Sequence, residues 1–387
     1  MLFAAESTQD PVIVPGDNGL NQSPIGFDRM KPLSASEKLL GYRVRSFEAT
    51  SVREKGSYIL GVDAGPTTTK VVFLNTEDNL VDAACYLRTL GNPVAATRQC
   101  LHNLLEQVGD KVIRIVQVAA TGSGREMVSV YLENCLSYNE ILAHARAAAQ
   151  EVSNVDTVFE IGGQDAKFIS FMNGIPIDYA MNEGCSSGTG SFLEESISVD
   201  MGVGMKEISS MAIKSKHPIS FGERCAAFIN TDLRNTLQQG ATKNDVIAGL
   251  VYSIADNYCS RIAGARQIGE NLLFLGGVAL NKSVALAMAA RTGRKIVVPP
   301  YPELMGCVGS ALMAKDHMDD HMAETIDVCL QDLLLTLQLV VIMPQLIVRG
   351  NPVAILFISI LTGLLAANLC ICLTLCPFLP DHISAYA

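Results

Sequence analysis

The chain has 387 residues, and at roughly 150 residues per domain this length is enough for two or three domains with large cores. Very small disulfide-stapled scaffolds are therefore excluded. Its 29 Lys and Arg residues against 39 Asp and Glu residues give a net charge of -10, and no basic run occurs, so we expect no sequence-independent binding to nucleic acid.

Residues 1–57 contain scattered Pro, Gly, Ser, Asn and charged residues without periodicity. This pattern is typical of an extended lead-in or linker rather than of a folding unit. The amino terminus lacks a basic stretch followed by a sustained apolar run, so no export signal is expected. Eleven cysteines without disulfide-scaffold spacing favour a reducing, cytoplasmic location.

The first predicted half of the folded part covers residues 58–150. Apolar runs at 58–62, 70–74 and 80–87 are separated by turns, which predicts a three-stranded meander. Asn92 and Pro93 then form a helix start, and the apolar spacing up to Val108 predicts one helix. A further strand is predicted at 112–119.

The first turn of this meander recurs later in the chain. A shift of 97 residues superimposes four pairs of residues: Asp63 on Glu160, Gly65 on Gly162, Thr68 on Asp165 and Lys70 on Lys167. Each segment reads as strand, glycine-containing turn and strand, and the second continues into a hairpin at 166–181. Two similar halves of this kind would place the two turns face to face, where they could clamp one polyphosphate.

The second predicted half covers residues 151–322. Helices are predicted at 186–200, 226–238, 244–266, 281–291 and 304–315, and strands at 271–275 and 295–298. Strands that alternate with helices indicate an α/β protein with layered sheets. Gly276 and Gly277 follow a buried strand and permit close backbone approach to a flat ligand such as adenine, although glycine at such a turn also serves packing.

The residue types in the two turns suit a phosphate chain. Phosphate binding needs backbone N–H groups at glycines, hydroxyl donors, a cation, and a carboxylate that holds hydrated Mg²⁺ or the attacking water. The candidate binding residues are Gly65, Thr67, Thr68, Thr69, Lys70, Gly162 and Gly163, and the candidate catalytic residues are Asp63, Gln164 and Asp165. The alternative is a β-turn whose threonines only cap strand ends, and the repetition of the pattern disfavours it.

Six segments carry a resemblance to a known family: 63–70, 121–125, 159–167, 182–190, 222–225 and 275–281. They are similar to motifs of the acyl-CoA dehydratase activators, the family of the 2-hydroxyglutaryl-CoA dehydratase activator and the ATPase subunits of benzoyl-CoA reductase. The match covers residues 58–315 and is nearest to one ATPase unit of the long multidomain activases. The resemblance implies the two-halved α/β nucleotide-binding fold of the actin, Hsp70 and sugar kinase superfamily.

The same resemblance implies a redox ATPase that uses ATP, Mg²⁺ and one [4Fe-4S] cluster per homodimer, with Cys185 and Cys225 of each subunit as ligands. It also implies reduced ferredoxin or flavodoxin as electron donor, and a 2-hydroxyacyl-CoA dehydratase or benzoyl-CoA reductase component as acceptor. Both cysteines precede predicted helix starts, where partial positive charge favours a thiolate. The alternative is that each is a small buried side chain.

Two features depart from the family pattern. Pro66 stands where serine is usual, which removes a hydroxyl and an N–H, and Glu160 stands where relatives often have Asp. In the tail 323–387, residues 353–376 contain neither charge nor proline and are long enough to cross a hydrocarbon core of roughly 30 Å. The tail is therefore either a membrane segment or an aggregation-prone terminus.

Two rival functions remain open from the sequence. The first is a phosphotransferase of the same fold that acts on a sugar or an acid. The second is a non-catalytic, membrane-attached nucleotide-binding protein, which Pro66 and the apolar tail make plausible.

Overall fold

A computed structural model describes residues 28–47, 52–182, 186–199, 201–224 and 226–321 of the chain. The strands in chain order are β1 (Leu40–Tyr42), β2 (Ser57–Ala64), β3 (Thr68–Asn75), β4 (Val81–Arg88), β5 (Arg114–Thr121), β6 (Cys135–Ser137), β7 (Thr157–Ile161), β8 (Ala166–Met172), β9 (Ile175–Met181), β10 (Leu272–Leu275) and β11 (Ile296–Val298).

The helices are α1 (Pro93–Val108), α2 (Arg125–Leu132), α3 (Glu140–Glu151), α4 (Gly190–Leu193), α5 (Met205–Ile213), α6 (Ala226–Gln238), α7 (Lys243–Tyr258), α8 (Lys282–Thr292) and α9 (Met305–His321). Short 3₁₀ helices cover Leu33–Leu39, Gly277–Leu280 and Pro302–Leu304, and π-helical turns cover Glu194–Val199 and Cys259–Ala263.

The strands form two sheets that share one plan. The first sheet has the order β4-β3-β2-β5-β6, and the second has the order β1-β11-β10-β7-β8-β9. In each sheet an antiparallel three-stranded meander, β2–β4 or β7–β9, continues into parallel strands on its other side. The repeat found in the sequence is therefore a structural repeat, and the predicted meander at 58–87 and the predicted hairpin at 166–181 are confirmed.

The inner strands are apolar because both of their faces are covered. Seven of the eight residues of β2 are buried. One large core lies on the far face of the second sheet, against α5, α7 and α8. A second core contains residues of both sheets together with α3 and α9, so these two helices lie between the sheets.

This second core changes the division that the sequence suggested. Helix α9 belongs by position to the range 151–322, yet it packs against α3 and against β2 and β5 of the first sheet. The boundary at residue 150 therefore separates the two halves along the sequence but not in space, because α9, the last helix of the range 151–322, packs against the first half.

The expected lead-in 1–57 is wrong for one segment. Residues Leu33–Leu39 form a 3₁₀ helix in which Leu33 is fully buried, and β1 then pairs in parallel with β11 at the edge of the second sheet. Three residues are too few to show a strand periodicity, so β1 could not be predicted from its own residues.

Other predicted boundaries shift for local reasons. The helix expected at 186–200 begins only at Gly190, because Gly188 before it has a positive φ of 87° and cannot continue a helix backwards. Helices α2, α3 and α5 were not predicted. The apolar tail segment 353–376 lies outside the described residues. Within the described ranges, every helix is too short or too polar to cross a bilayer.

Candidate active site

The two repeated turns face each other across one cavity between the halves. From the first turn the cavity is lined by Asp63, Gly65, Pro66, Thr67, Thr68 and Lys70, and from the second by Glu160, Gly162, Gly163, Gln164, Asp165 and Lys167. The turns come into direct contact at one point, where a Cβ built on Gly163 would lie 2.6 Å from both Cβ and Oγ1 of Thr67. Only glycine at position 163 permits this approach.

The first turn is held by backbone and threonine hydrogen bonds. The Gly65 N–H donates to the Thr68 carbonyl at 3.0 Å, and the Thr89 hydroxyl donates to the Gly65 carbonyl at 2.7 Å. Thr69 is fully buried, and its Oγ1 lies 2.9 Å from Oγ1 of Thr89. Successive residues of a strand point to opposite faces, so Thr68 and Lys70 line the cavity whereas Thr69 supports the turn from behind. Thr69, predicted to bind phosphate, is therefore not among the residues that line the cavity.

The second turn repeats this geometry and is held by neighbours that follow it in sequence. The Gly162 N–H donates to the Asp165 carbonyl at 2.8 Å. Asn182 accepts from the Ala166 N–H at 2.8 Å and donates to the Gln164 carbonyl at 2.8 Å. At the start of α4, both the N–H and the hydroxyl of Ser191 donate to the Gly163 carbonyl at 2.7 Å. The turn and the start of α4 therefore form one hydrogen-bonded unit.

Each hairpin places a lysine opposite a carboxylate. Lys70 Nζ lies 3.0 Å from Asp63 Oδ2, and Lys167 Nζ lies 2.8 Å from Glu160 Oε2. Burial would raise the pKa of Asp63, but the charges of Lys70 and His144 and the Lys70 hydrogen bond together lower it below its usual value. Burial likewise disfavours charged lysines, yet the adjacent carboxylates raise the pKa of both Lys70 and Lys167. Both ammonium groups and the Asp63 carboxylate are therefore charged at neutral pH.

Two cavity residues on α3 were missed by sequence reasoning. Glu140, the first residue of α3, and His144, one turn later, both line the cavity. Glu140 Oε2 lies 3.8 Å from Lys167 Nζ, and burial raises the pKa of the Glu140 carboxyl while Lys167 partly offsets this. Asn139, whose side chain accepts from the Ile141 N–H, is the helix-capping signal that could have revealed α3.

One observation on the cavity fits a phosphate chain, and a second shows that a phosphate chain would need a cation with it. Thr67 Oγ1 is buried and has no hydrogen-bond partner in the described part of the chain, so an unused hydroxyl stands where the turns meet. The lining contains the carboxylates of Asp63, Glu140, Glu160 and Asp165 but only two lysines. A polyphosphate anion would be repelled by this surplus unless a cation accompanied it. Among the described residues no three acidic, His or Cys side chains are grouped as metal ligands.

The two glycines predicted to lie next to the adenine, Gly276 and Gly277, are beside the cavity. Gly276 has a φ of 90°, and a Cβ there would lie 2.3 Å from the Ile161 carbonyl oxygen at the end of β7. A Cβ on Gly277 would lie 3.0 Å from the hydroxyl of Tyr86 in the first half. Gly277 is thus at the boundary of the two halves, whereas Gly276 packs against the end of β7, and neither glycine lines the cavity between the turns.

The predicted cluster ligands Cys185 and Cys225 lie outside the described residues. Their surroundings are described in part. The chain resumes at Ser186, four residues before α4, and α6 begins at Ala226. Cys85, Cys100, Cys135, Cys259 and Cys307 are free thiols, and burial raises the pKa of Cys135 to about 11 and that of Cys259 to about 12.

A second contact joins the halves beside the turns. Arg88, the last residue of β4, donates to both carboxylate oxygens of Glu194, at 3.2 and 2.8 Å. Glu194 directly follows α4, whose first turn holds Gly163. The ion pair therefore connects the first half to the helix that follows the Cys185 segment.

Comparisons with known proteins agree with this geometry. Residues 60–314 match the BadF/BadG/BcrA/BcrD ATPase family. The 2-hydroxyisocaproyl-CoA dehydratase activator of Clostridioides difficile is 30% identical over 270 residues, which are 69% of this chain and 98% of that protein. The (R)-2-hydroxyglutaryl-CoA dehydratase activating ATPase of Acidaminococcus fermentans is 31% identical over 260 residues, 66% of this chain and 96% of that protein.

A solved structure shows the same similarity in three dimensions. The activator of the 2-hydroxyisocaproyl-CoA dehydratase from Clostridium difficile, solved with bound ADPNP, superimposes with a TM-score of 0.63 at 28% identity. The match covers 70% of this chain and all of that one. The resemblance found in the sequence is confirmed, and so is the two-halved α/β fold of the actin, Hsp70 and sugar kinase superfamily.

Proposed function

We propose that this chain, which belongs to the BadF/BadG/BcrA/BcrD ATPase family, is an ATP-dependent reductive activator of an acyl-CoA dehydratase or reductase component. The observation that carries the proposal is the pair of matched turns, each with its lysine and carboxylate, on opposite sides of one cavity. The names of the relatives as dehydratase activators support the choice of reaction.

In this proposal the substrate is ATP with Mg²⁺. The backbone of Gly65, Gly162 and Gly163 and the hydroxyls of Thr67 and Thr68 bind the phosphates. Lys70 adds a cation, Gln164 positions the attacking water, and Asp63 and Asp165 hold the hydrated Mg²⁺. Gly276 and Gly277 leave room for the adenine. The excess of carboxylates over lysines in the lining supports the requirement for Mg²⁺.

The redox part of the proposal assigns Cys185 and Cys225 of two subunits to one [4Fe-4S] cluster at a homodimer interface. A cluster of this kind takes four thiolates, and two subunits supply four. When bound between Cys185 and Cys225 of the two subunits, such a cluster would supply one-electron transfer from reduced ferredoxin or flavodoxin to the dehydratase or reductase component. The free thiols of the described residues fit a reducing, cytoplasmic location.

The hydrogen bonds of the second turn supply a physical connection between the two activities. Gly190 and Ser191 donate to the carbonyls of Gly162 and Gly163 at 2.9 and 2.7 Å. A change in the turn on ATP hydrolysis therefore moves the start of α4, five residues after Cys185. A nucleotide shifts such an equilibrium only by its different affinities for the two states.

Anaerobic iron and sulfide analysis of the full-length chain tests the redox assignment, with electron paramagnetic resonance after dithionite reduction. We expect four irons per dimer, lost in Cys185→Ser and in Cys225→Ser but kept in the matched variant Cys135→Ser. A protein that binds ATP but stays free of iron after cluster reconstitution would instead favour a phosphotransferase.

A further inference from the structure

Two thiols of the first half lie against each other behind the first turn. Cys85 is on β4, opposite Val71 of β3, and Cys100 is on α1, which packs against both strands. The Cys100 thiol donates a hydrogen bond to the Cys85 sulfur. Both cysteines are free thiols, so the fold holds two unbonded sulfurs in contact.

Side-chain amides fix α1 on β4 beside this pair. Gln107 accepts from the Ala84 N–H at 3.2 Å and donates to the Ala84 carbonyl at 2.9 Å. Asn103, one helical turn earlier, donates from Nδ2 to the Cys85 sulfur at 3.4 Å. A disulfide with its bond of about 2.05 Å would therefore join two elements that the protein already holds together.

The two thiols differ in access to solvent. Cys85 is 8% exposed, whereas Cys100 is fully buried behind it. A small oxidant therefore reaches Cys85 first, and Cys100 is the neighbour that can react with the product. An accessible thiol poised next to a second thiol is the usual arrangement of a redox-sensitive pair.

The hydrogen bonds also make Cys85 the more reactive thiol. The hydrogen bond from Cys100 lowers the pKa of Cys85, burial opposes this effect, and the hydrogen bond from Asn103 lowers the pKa further. Cys135 and Cys259 are more exposed than Cys85, yet burial raises their pKa to about 11 and about 12. Since the thiolate is the nucleophile, Cys85 is favoured over both.

We propose that Cys85 and Cys100 are a redox-active pair that a small peroxide converts into a disulfide. The Cys85 thiolate attacks one peroxide oxygen, the O–O bond breaks, and hydroxide leaves and takes up a proton as water. The Cys100 sulfur then attacks the sulfur of the Cys85 sulfenic acid, and a second water leaves with the Cys100 proton. The two thiols lose two electrons and two protons, and hydrogen peroxide gains them.

The pair is connected to the first turn through Thr69. The Cys100 thiol has a second acceptor within reach, the Thr69 carbonyl oxygen at 3.8 Å from its sulfur. Thr69 in turn contacts Thr89, whose hydroxyl donates to the Gly65 carbonyl at 2.7 Å. A disulfide removes the Cys100 proton and with it the hydrogen bond to Thr69. Oxidation should therefore weaken nucleotide binding, a consequence that rests on the proposed function, whereas the disulfide itself does not.

Peptide mapping of the full-length chain after treatment with hydrogen peroxide tests the disulfide. Remaining thiols are alkylated, and the chain is digested with trypsin without reductant. Cys85 and Cys100 then lie in separate peptides, 71–88 and 99–111, each with a single cysteine. We expect these two peptides joined with the loss of two hydrogens, and separated again by dithiothreitol. The cross-link should be absent from Cys85→Ser and from Cys100→Ser, and it should persist in the matched control Cys135→Ser.

Two outcomes of the map would overturn the proposal. In one, Cys85 is recovered only alkylated or as its sulfinic or sulfonic acid, without a cross-link to 99–111. In the other, Cys100 is joined instead to peptide 296–315, which contains the buried Cys307.

ADPNP titration of the same samples tests the connection to the turn. We expect the Kd of the wild-type chain to rise about 2- to 10-fold on oxidation, the range of one hydrogen bond, and to recover with dithiothreitol. Cys85→Ser should show no such rise, which separates the pair from peroxide effects at other cysteines. An unchanged Kd in a fully cross-linked chain would overturn the connection to the turn. A reduced wild-type chain that does not bind ADPNP would refute the proposed function and leave the peptide map readable.

Discussion

The contact between Gly163 and Thr67 predicts that a single methyl group will hold the two turns apart. In Gly163→Ala the new Cβ would lie 2.6 Å from Thr67 Cβ, about 0.8 Å inside the 3.4 Å at which ordinary contact begins. Thr67 cannot rotate away from this clash, because its own Cβ is one of the two nearest atoms. Overpacking of this kind costs roughly 1–3 kcal/mol, which lowers the population of the arrangement in which the two turns touch by about 5- to 150-fold.

ADPNP titration and ATP hydrolysis by the full-length variant measure this loss. We expect the Kd for ADPNP to rise within the range above, about 5- to 150-fold. In the double variant Gly163→Ala with Thr67→Gly, which removes the opposing Cβ, the Kd should return partly toward the wild-type value. Gly41→Ala is the control, because its Cβ would meet β11 at an ordinary 3.6 Å. If Gly163→Ala binds and hydrolyses as wild type does, the turns do not need this approach and the reasoning is refuted.

Two further predictions concern charges at the cavity. Asp63→Asn should cost about 3–5 kcal/mol at neutral pH by leaving Lys70 buried without its partner. The folded pKa of Asp63 lies below its ordinary 3.8, so the contribution of the carboxylate to the free energy of unfolding is complete above pH 3.8 and is lost as the pH falls through the folded pKa. The free energy of unfolding of Asp63→Asn in urea should therefore fall less steeply at acid pH than that of the wild-type chain. An equally steep fall in both would contradict this. Arg88→Glu should raise the KM for ATP less than about fivefold, because the side chains of Arg88 and Glu194 are both substantially exposed. Adding Glu194→Arg to Arg88→Glu should restore the wild-type KM. A double variant no better than the single one would show that the ion pair does not hold the halves together.

The hairpins and the repeat could be predicted from the sequence because each depends on short-range patterns. Apolar strands separated by a turn fixed the register in which Asp63 opposes Lys70 and Glu160 opposes Lys167. The different role of Thr69 also follows from strand alternation, since it points away from the face that carries Thr68 and Lys70.

The missed parts depend on long-range packing. Helix α3 buries alanines at 143, 145, 147 and 148, so its apolar stripe is weak in sequence although it lies between two sheets. Strand β1 has three residues and exists through its pairing with β11, more than 250 positions later. Glu140 is close to Lys167 only because α3 crosses between the halves, and no local spacing connects these two residues.

Electron delivery in the presence and absence of ATP tests the central claim most directly. The full-length chain, reduced with dithionite and freed of excess reductant, is mixed anaerobically with an acyl-CoA dehydratase component, and its cluster signal is followed by electron paramagnetic resonance. The signal should disappear with ATP and Mg²⁺, and it should persist with ADP or without nucleotide. Cys185→Ser with Cys225→Ser should still hydrolyse ATP but deliver no electron. Equal oxidation with ATP and ADP would contradict coupling between the nucleotide cavity and the cluster.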